Sequence, residues 1–330
     1  MSALTVAVPA EPPRRDITAV LPRADRRLAL GLRGAALTSV SVLGLIGLFL
    51  LIKAWPALHR AGWGFLTERR WLPDVGRFGI ASVLEGTIVI ASIALVVALP
   101  VAVAVALFIS EAAPPRLRSA LISVVDLMAA VPSIVYGLWG FFFLQPRLIT
   151  VSRWIAVHVG GAVPFLSVHD PSTASSFTSS AFIVGVTLSL MVLPIATSVM
   201  RQVFAQTPQA EREAAYALGC TRWAMIRGVV LPFGRSGIVG GAMLGLGRAL
   251  GESISVFIIV SPVFTYTTHP LQSGSNTIAA LIVERASESS TFGVAALLAA
   301  GLVLFAFTLV VNTVAGIIVA RSRSGAATEI

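Results

Sequence analysis

Arg248 and Glu252 stand four residues apart inside the apolar run Gly245-Leu246-Gly247-Arg248-Ala249-Leu250-Gly251-Glu252-Ser253. At about 100° per residue, Gly237, Gly241, Gly245, Arg248, Glu252 and Ser255 fall on one helical stripe about 80° wide. Glycines four apart let helix backbones approach closely, so the stripe is expected to face protein or water rather than lipid. Arg248 lies about 18 Å along that helix from its cytoplasmic end, where a charge costs about 3 kcal/mol or more unless paired or hydrated. Glu252 is its expected partner. Two roles are open to the pair: a lock between helices, or a site on a substrate route, where ionisable groups inside a membrane usually stand. An arginine fork suits the oxygens of an oxyanion, and an acidic neighbour would help it leave. Asp126 is a second candidate, because Ala130, Ser133, Gly137 and Gly140 follow it on one face. It lies only about 10 Å from its helix's cytoplasmic end, so snorkelling to the surface competes with a pathway role.

Other chemistry finds no support. The sequence has one lysine, Lys53, at the edge of an apolar run and outside any glycine-rich turn, so a phosphate-cradling nucleotide loop is excluded. His59, His158, His169 and His269 are scattered without metal-ligand spacing, and no nucleophile–base motif of a hydrolase is present. No metal, cofactor or enzymatic activity is expected. Gly245-x-Gly247 is no dinucleotide fingerprint, for no strand precedes it. Cys220, the single cysteine, permits no intrachain disulfide.

The elements that must position these residues are membrane helices. The 330 residues are 56% hydrophobic and 12% charged, with mean hydropathy +0.89, which a soluble core cannot absorb. The apolar runs last about 20 residues, whereas barrel strands alternate over roughly 10. The fold is therefore all-α, a polytopic membrane protein. Six spans are expected at 34–54, 82–109, 119–143, 181–200, 236–260 and 293–320. With both termini cytoplasmic, the tails and the loops 110–118 and 201–235 hold 15 arginines, against 8 basic residues in the outer loops 55–81, 144–180 and 261–292 and at Lys53. The net charge of +9 is thus a matter of topology and not of nucleic acid binding. Residues 1–33 are expected to be a disordered basic tail, 34–320 one membrane domain, and 321–330 a cytoplasmic tail. Arg153 to Val159 could form a short interfacial helix anchored by Trp154. Pro100, Pro132 and Pro194 lie within spans and read as kinks.

The loop 201–235 carries the clearest local signals. Thr207-Pro208 offers an N-cap and a first-turn proline, with Glu211 and Glu213 complementing the helix dipole. Gly219 can end that helix in a left-handed conformation, Thr221 can cap a second, and Pro232 is expected to stop it. The product is a helix-turn-helix elbow that a partner's groove could accept.

Glu213-Ala214-Ala215, Gly219 and the closing Val229-Val230-Leu231-Pro232 resemble the EAA loop of ABC-importer permeases. Gly245 to Ser253, and Val131-Pro132-Ser133-Ile134-Val135-Tyr136-Gly137-Leu138-Trp139-Gly140, resemble membrane stretches of the phosphate-specific (Pst) importer. Trp71, Pro73, Phe78, Gly79, Gly86 and Thr87 fall where the PstC type has its first outer loop and second span. The resemblance implies a type I (MetI-like) permease fold in a bacterial inner membrane, with phosphate as substrate. It implies a pathway through Arg248, Glu252, Asp126, Ser133 and Tyr136, and an ATPase-docking surface at Glu213, Ala214, Ala215, Gly219, Leu231 and Pro232. The implied partners are a PstA-type permease, two copies of a PstB-type ATPase, a PstS-type phosphate-binding protein and membrane lipid. A permease for sulfate or molybdate shares the EAA loop, and only the Arg248 and Pro132 stretches favour phosphate. An ion-coupled secondary transporter is the rival class; it predicts inverted repeats, which the sequence does not display.

Overall fold

The computed structural model describes residues 23–260, 269–287 and 289–322. They divide into two compact units, 1–49 and 50–330. In the first, the described residues are helical, part of α1, Arg23–Ala61. Helix therefore begins inside the stretch expected to be a tail, where Asp25 complements the positive helix end. Residues 1–22 of that tail and 323–330 of the C-terminal one lie outside the described residues.

In the second unit α1 ends and is followed by α2 (Gly64–Thr67) and a two-stranded antiparallel hairpin, β1 (Trp71–Leu72) with β2 (Arg77–Phe78). Then come α3 (Ala81–Leu107), α4 (Pro115–Ala130), α5 (Ser133–Trp139) and α6 (Gln145–His158). After α7 (Ala181–Ala205) the polar elbow holds α8 (Gln209–Ala217), α9 (Arg222–Met225) and α10 (Leu231–Phe233). The chain closes with α11 (Arg235–Gly251), α12 (Ile254–Ile259), α13 (Ile278–Arg285) and α14 (Thr291–Ser322). Three π turns interrupt it: Phe108–Ala112, Gly140–Leu144 and Ile226–Val230.

α3 and α7 form the centre, and small residues are the reason. Ala94, Ala98, Ala102 and Ala106 recur every fourth position of α3, and all are fully buried. Gly185 of α7 sits so close to α3 that an added Cβ would lie 2.6 Å from Ile93 Cγ2. In a membrane, where lipid is as apolar as leucine, such close approach is the main source of helix association. α11 joins the same way, with Gly237 against Val203 and Gly245 against Val192 of α7. The glycine part of the expected stripe thus faces protein.

Among the described residues, the helical stretches long and apolar enough to cross a membrane are Asp25–Ala61, Ala81–Ala112, Ser133–His158, Ala181–Ala205 and Thr291–Ala320. Arg222–Phe233 with Arg235–Gly251, bent by 64°, makes a sixth if taken as one span. Two expected spans differ from this. The run 119–143 is not one helix: it breaks at Val131 and Pro132, and helical structure then continues to His158. Proline forces the residue before it out of the helical region, and Val131 has ψ 130°. The expected interfacial helix at 153–159 is the end of α6, where Trp154 stacks on His158 at 4.8 Å. The run 236–260 breaks at Glu252, as described below. Pro100 and Pro194, by contrast, stay inside the continuous helices α3 and α7.

The expected outer loop 261–292 also folds differently. Residues 261–268 lie outside the described residues, but Pro270 and Leu271 and the run from Gly274 through Leu281 are buried. Thr277 caps α13, its Oγ1 accepting from Ala280 N at 3.2 Å, and Ile278 N donates to Thr87 Oγ1 at 3.0 Å. Gly86 packs so tightly on the Asn276 carbonyl that a Cβ would lie 2.1 Å from it. Gly86 and Thr87 therefore seat this re-entering segment. An aromatic cluster of Phe65, Trp71, Phe78 and Phe292 covers the neighbouring end of α14, with Arg60 over the Phe292 ring at 5.1 Å.

Candidate translocation path and coupling surface

The two helix breaks meet. α11 ends at Gly251, and Glu252 takes an extended backbone (φ −74°, ψ 122°) before α12 begins. α12 packs on α5, which follows the other break, and Gly137 makes the fit: a Cβ there would lie 2.8 Å from Ser255 Cα. Ser255 Oγ donates to the Ser133 carbonyl at 2.7 Å and lies 3.1 Å from Glu252 Oε1. Ser255 N donates to the same carboxylate oxygen at 3.3 Å. Glu252, only 8% exposed, thus caps the first turn of α12. Across the other break, Tyr136 Oη donates to the Met128 carbonyl at 2.8 Å, which also accepts from Val131 N at 3.3 Å.

This arrangement corrects the expected Arg248–Glu252 pair. Among the described residues Arg248 has no carboxylate within salt-bridge distance, because the extended backbone at Glu252 takes its side chain out of the one-turn register. Arg248 is instead exposed on α11, one turn before the break that ends it. Ser133, Tyr136 and Glu252 therefore gather at the paired breaks, as Ser255 does, and Arg248 stands on α11 one turn before its break. Asp126 does not join them: it is exposed on α4 and makes no ion pair among the described residues. What the junction holds chemically is a carboxylate satisfied by the first turn of α12, with an exposed guanidinium one turn before it on α11.

The elbow is built largely as its residues require. Gly219 has φ +78°, Cys220 N reaches Ala215 O at 3.1 Å and Gly219 N reaches Tyr216 O at 2.9 Å, the paired bonds of a Schellman ending. Thr221 Oγ1 accepts from Ala224 N at 3.2 Å. Two details differ. Thr207 does not cap α8; it is buried, and Pro208 holds the capping position without a side-chain bond. Pro232 does not end the second helix, which passes through it by the π turn Ile226–Val230 and stops at Gly234. The widened turn loosens the backbone where proline lacks an N–H, and the bend falls two residues later. Glu213, Ala214, Gly219 and Pro232 are exposed, Leu231 is half-buried and Ala215 is buried. Tyr216, Leu218 and Trp223 add exposed apolar surface, Leu218 at 85%.

A feature that no spacing rule found fastens the elbow: Arg212 Nη2 lies 3.0 Å from Glu111 Oε1 in the π turn after α3. The pair is 101 residues apart in sequence, so only the fold brings it together.

A family model described as a binding-protein-dependent transport system inner membrane component matches residues 98–324. The chain belongs to this family of inner membrane transport components. Among its relatives, the phosphate transport system permease protein PstC 2 of Mycobacterium tuberculosis is 39% identical over 307 residues, covering 92% of this chain and 94% of that one. The phosphate transport system permease protein PstC of Mesorhizobium japonicum is 35% identical, covering 99% and 100%. A bacterial alginate ABC transporter, solved in complex with an alginate pentasaccharide-bound periplasmic protein, has a chain that superposes with TM-score 0.58 at 17% identity, covering 93% of this chain and 99% of that one. That likeness shows the fold. As an inner membrane transport component, the chain is an all-α, multi-pass membrane protein, and the matched region contains both the paired breaks and the elbow.

Proposed function

We propose that the chain is the PstC-type permease subunit of an ATP-driven inorganic phosphate importer. It forms half of the translocation pathway, with Arg248 as the group that meets the anion. The observation that carries this is the position of Arg248: a guanidinium with no carboxylate within salt-bridge distance among the described residues, one turn before the break that ends α11, in a chain whose relatives include phosphate permeases. Irregular backbone at membrane depth is tolerated where it lines a cavity or is buried in protein, and an arginine there attracts an anion by charge and by its forked donors. Ser133 and Tyr136 line the same junction, while Glu252 holds α12 in place. Asp126, on α4, belongs to the approach to this junction from the cytoplasmic side.

The complex in this reading contains a PstA-type permease, two copies of a cytoplasmic ATPase and an external phosphate-binding protein. Glu213, Ala214, Ala215, Gly219, Leu231 and Pro232 belong to the ATPase-docking elbow, and its exposed Tyr216, Leu218 and Trp223 suit an apolar groove. Both termini are cytoplasmic, as the distribution of arginines favours. The membrane domain spans 34–320, with short tails on either side.

The test is phosphate uptake into vesicles containing the whole complex, with sulfate and molybdate as competitors. Arg248→Gln is expected to lower phosphate uptake at least tenfold at equal complex abundance, since the amide keeps polarity but loses the charge. Full uptake by an Arg248→Leu, Glu252→Leu double variant would show that the anion does not meet this arginine.

A further inference from the structure

The coupling elbow touches the membrane bundle through an ion pair that neither the EAA spacing nor the pathway reading uses. Glu111 lies in the π turn Phe108–Ala112 at the end of α3, and its side chain is 4% exposed. Arg212 lies in α8 beside Glu213, with 18% of its side chain exposed. The same Arg212 Nη2 that meets Glu111 at 3.0 Å donates to the Phe204 carbonyl at 2.8 Å, near the end of α7. One guanidinium thus ties three elements together: the end of α3, the end of α7 and the elbow. Removing either partner would leave a buried charge without its counterpart.

The position of Glu111 gives the tie a direction. Four residues after it Pro115 opens α4, and α4 runs to the break at Val131 and Pro132, where Tyr136 ties α5 back to α4 and the Ser133 carbonyl meets Ser255 of α12. A helix pulled at one end moves as a rod, and a break at the other end is where such motion is absorbed. We propose that the Glu111–Arg212 pair is a strut that carries displacement of the elbow into α4 and so to the paired breaks. It makes Glu111 and Arg212 positioning residues for transport that touch neither substrate nor nucleotide. The assignment rests on the phosphate-importer reading above.

The experiment is a double-mutant cycle on the reconstituted complex, with Glu111→Gln, Arg212→Gln and both together. It reads ATPase co-purification, ATP hydrolysis and phosphate transported per ATP. Each single variant is expected to keep the ATPase bound and hydrolysing while transport per ATP falls at least fivefold. The double is expected to be no worse than the poorer single, because residues that act through one contact are not additive. A loss in the double equal to the product of the singles would overturn the strut, as would singles within twofold of the unaltered protein. Loss of the bound ATPase in the singles would overturn it too, by placing the pair in docking. The unaltered complex separates this from the underlying reading: if it shows no ATP-driven phosphate uptake, that reading fails and the strut with it.

Discussion

Adding one methyl group at Gly137 is the sharpest probe of the paired breaks. An alanine Cβ there lies 2.8 Å from Ser255 Cα and 3.3 Å from Ser255 Cβ, whereas comfortable carbon–carbon contact is about 3.5–4.0 Å. α12 must therefore retreat from α5 by about 0.8 Å. The bond from Ser255 Oγ to the Ser133 carbonyl, 2.7 Å in the native packing, then stretches to about 3.5 Å and is lost. Overpacking costs about 1–3 kcal/mol, and the lost bond about 1 kcal/mol more. Ser255→Ala removes the same bond without moving α12 and costs only the second amount. Thermal unfolding of the purified complex should therefore show a midpoint loss for Gly137→Ala about two to four times that for Ser255→Ala, with the larger loss of phosphate uptake as well. An equal or smaller loss for Gly137→Ala would refute close packing of α5 on α12 as the basis of the junction.

Gly219→Ala should weaken the elbow by about 1 kcal/mol, because φ +78° is costly for a residue with a Cβ; ATPase co-purification should fall while membrane insertion is unchanged. Glu68, at the end of α2, accepts backbone hydrogen bonds from Arg70 and Arg69, which hold its carboxyl below the usual value of 4.5. Its contribution is present above that value and is lost as the pH falls through the lowered one, so protease sensitivity of the segment between α2 and β1 should rise below about pH 4.5 in the native protein and not change there in Glu68→Gln.

The fold was legible wherever one strong local property decided it. Apolar length gave the membrane class, and Gly219 and Thr221 gave the turn and cap of the elbow, because a left-handed glycine and a threonine cap act over a few residues. The proline signal was ambiguous for a physical reason: Pro100 and Pro194 are accommodated inside helices that neighbours hold, while Pro132 meets a serine and a glycine that let α5 dock elsewhere. At the proposed site, Arg248 and Glu252 were singled out by type and Ser133 and Tyr136 by resemblance, but the Arg248–Glu252 pair was not real because helical periodicity was carried through a residue that is not helical. Glu111–Arg212 and Ile278–Thr87 join residues 101 and 191 apart in sequence, and no single-sequence periodicity reaches that far.

The π turns set a rule for chain length. Each holds one residue more than the α-helix it interrupts, so the extra residue is taken up in one widened turn and the helix on either side keeps its phase. Deleting a residue from Gly140–Leu144 would let that stretch close into plain α-helix and leave Gln145, whose Nε2 donates to the Thr178 carbonyl at 2.6 Å, on the same side of the rod, and Trp154 with it. A deletion inside α6 itself would instead turn everything after it by about 100°. At these three places the count of residues can change where, in the plain helix beside them, it is as strict a specification as identity.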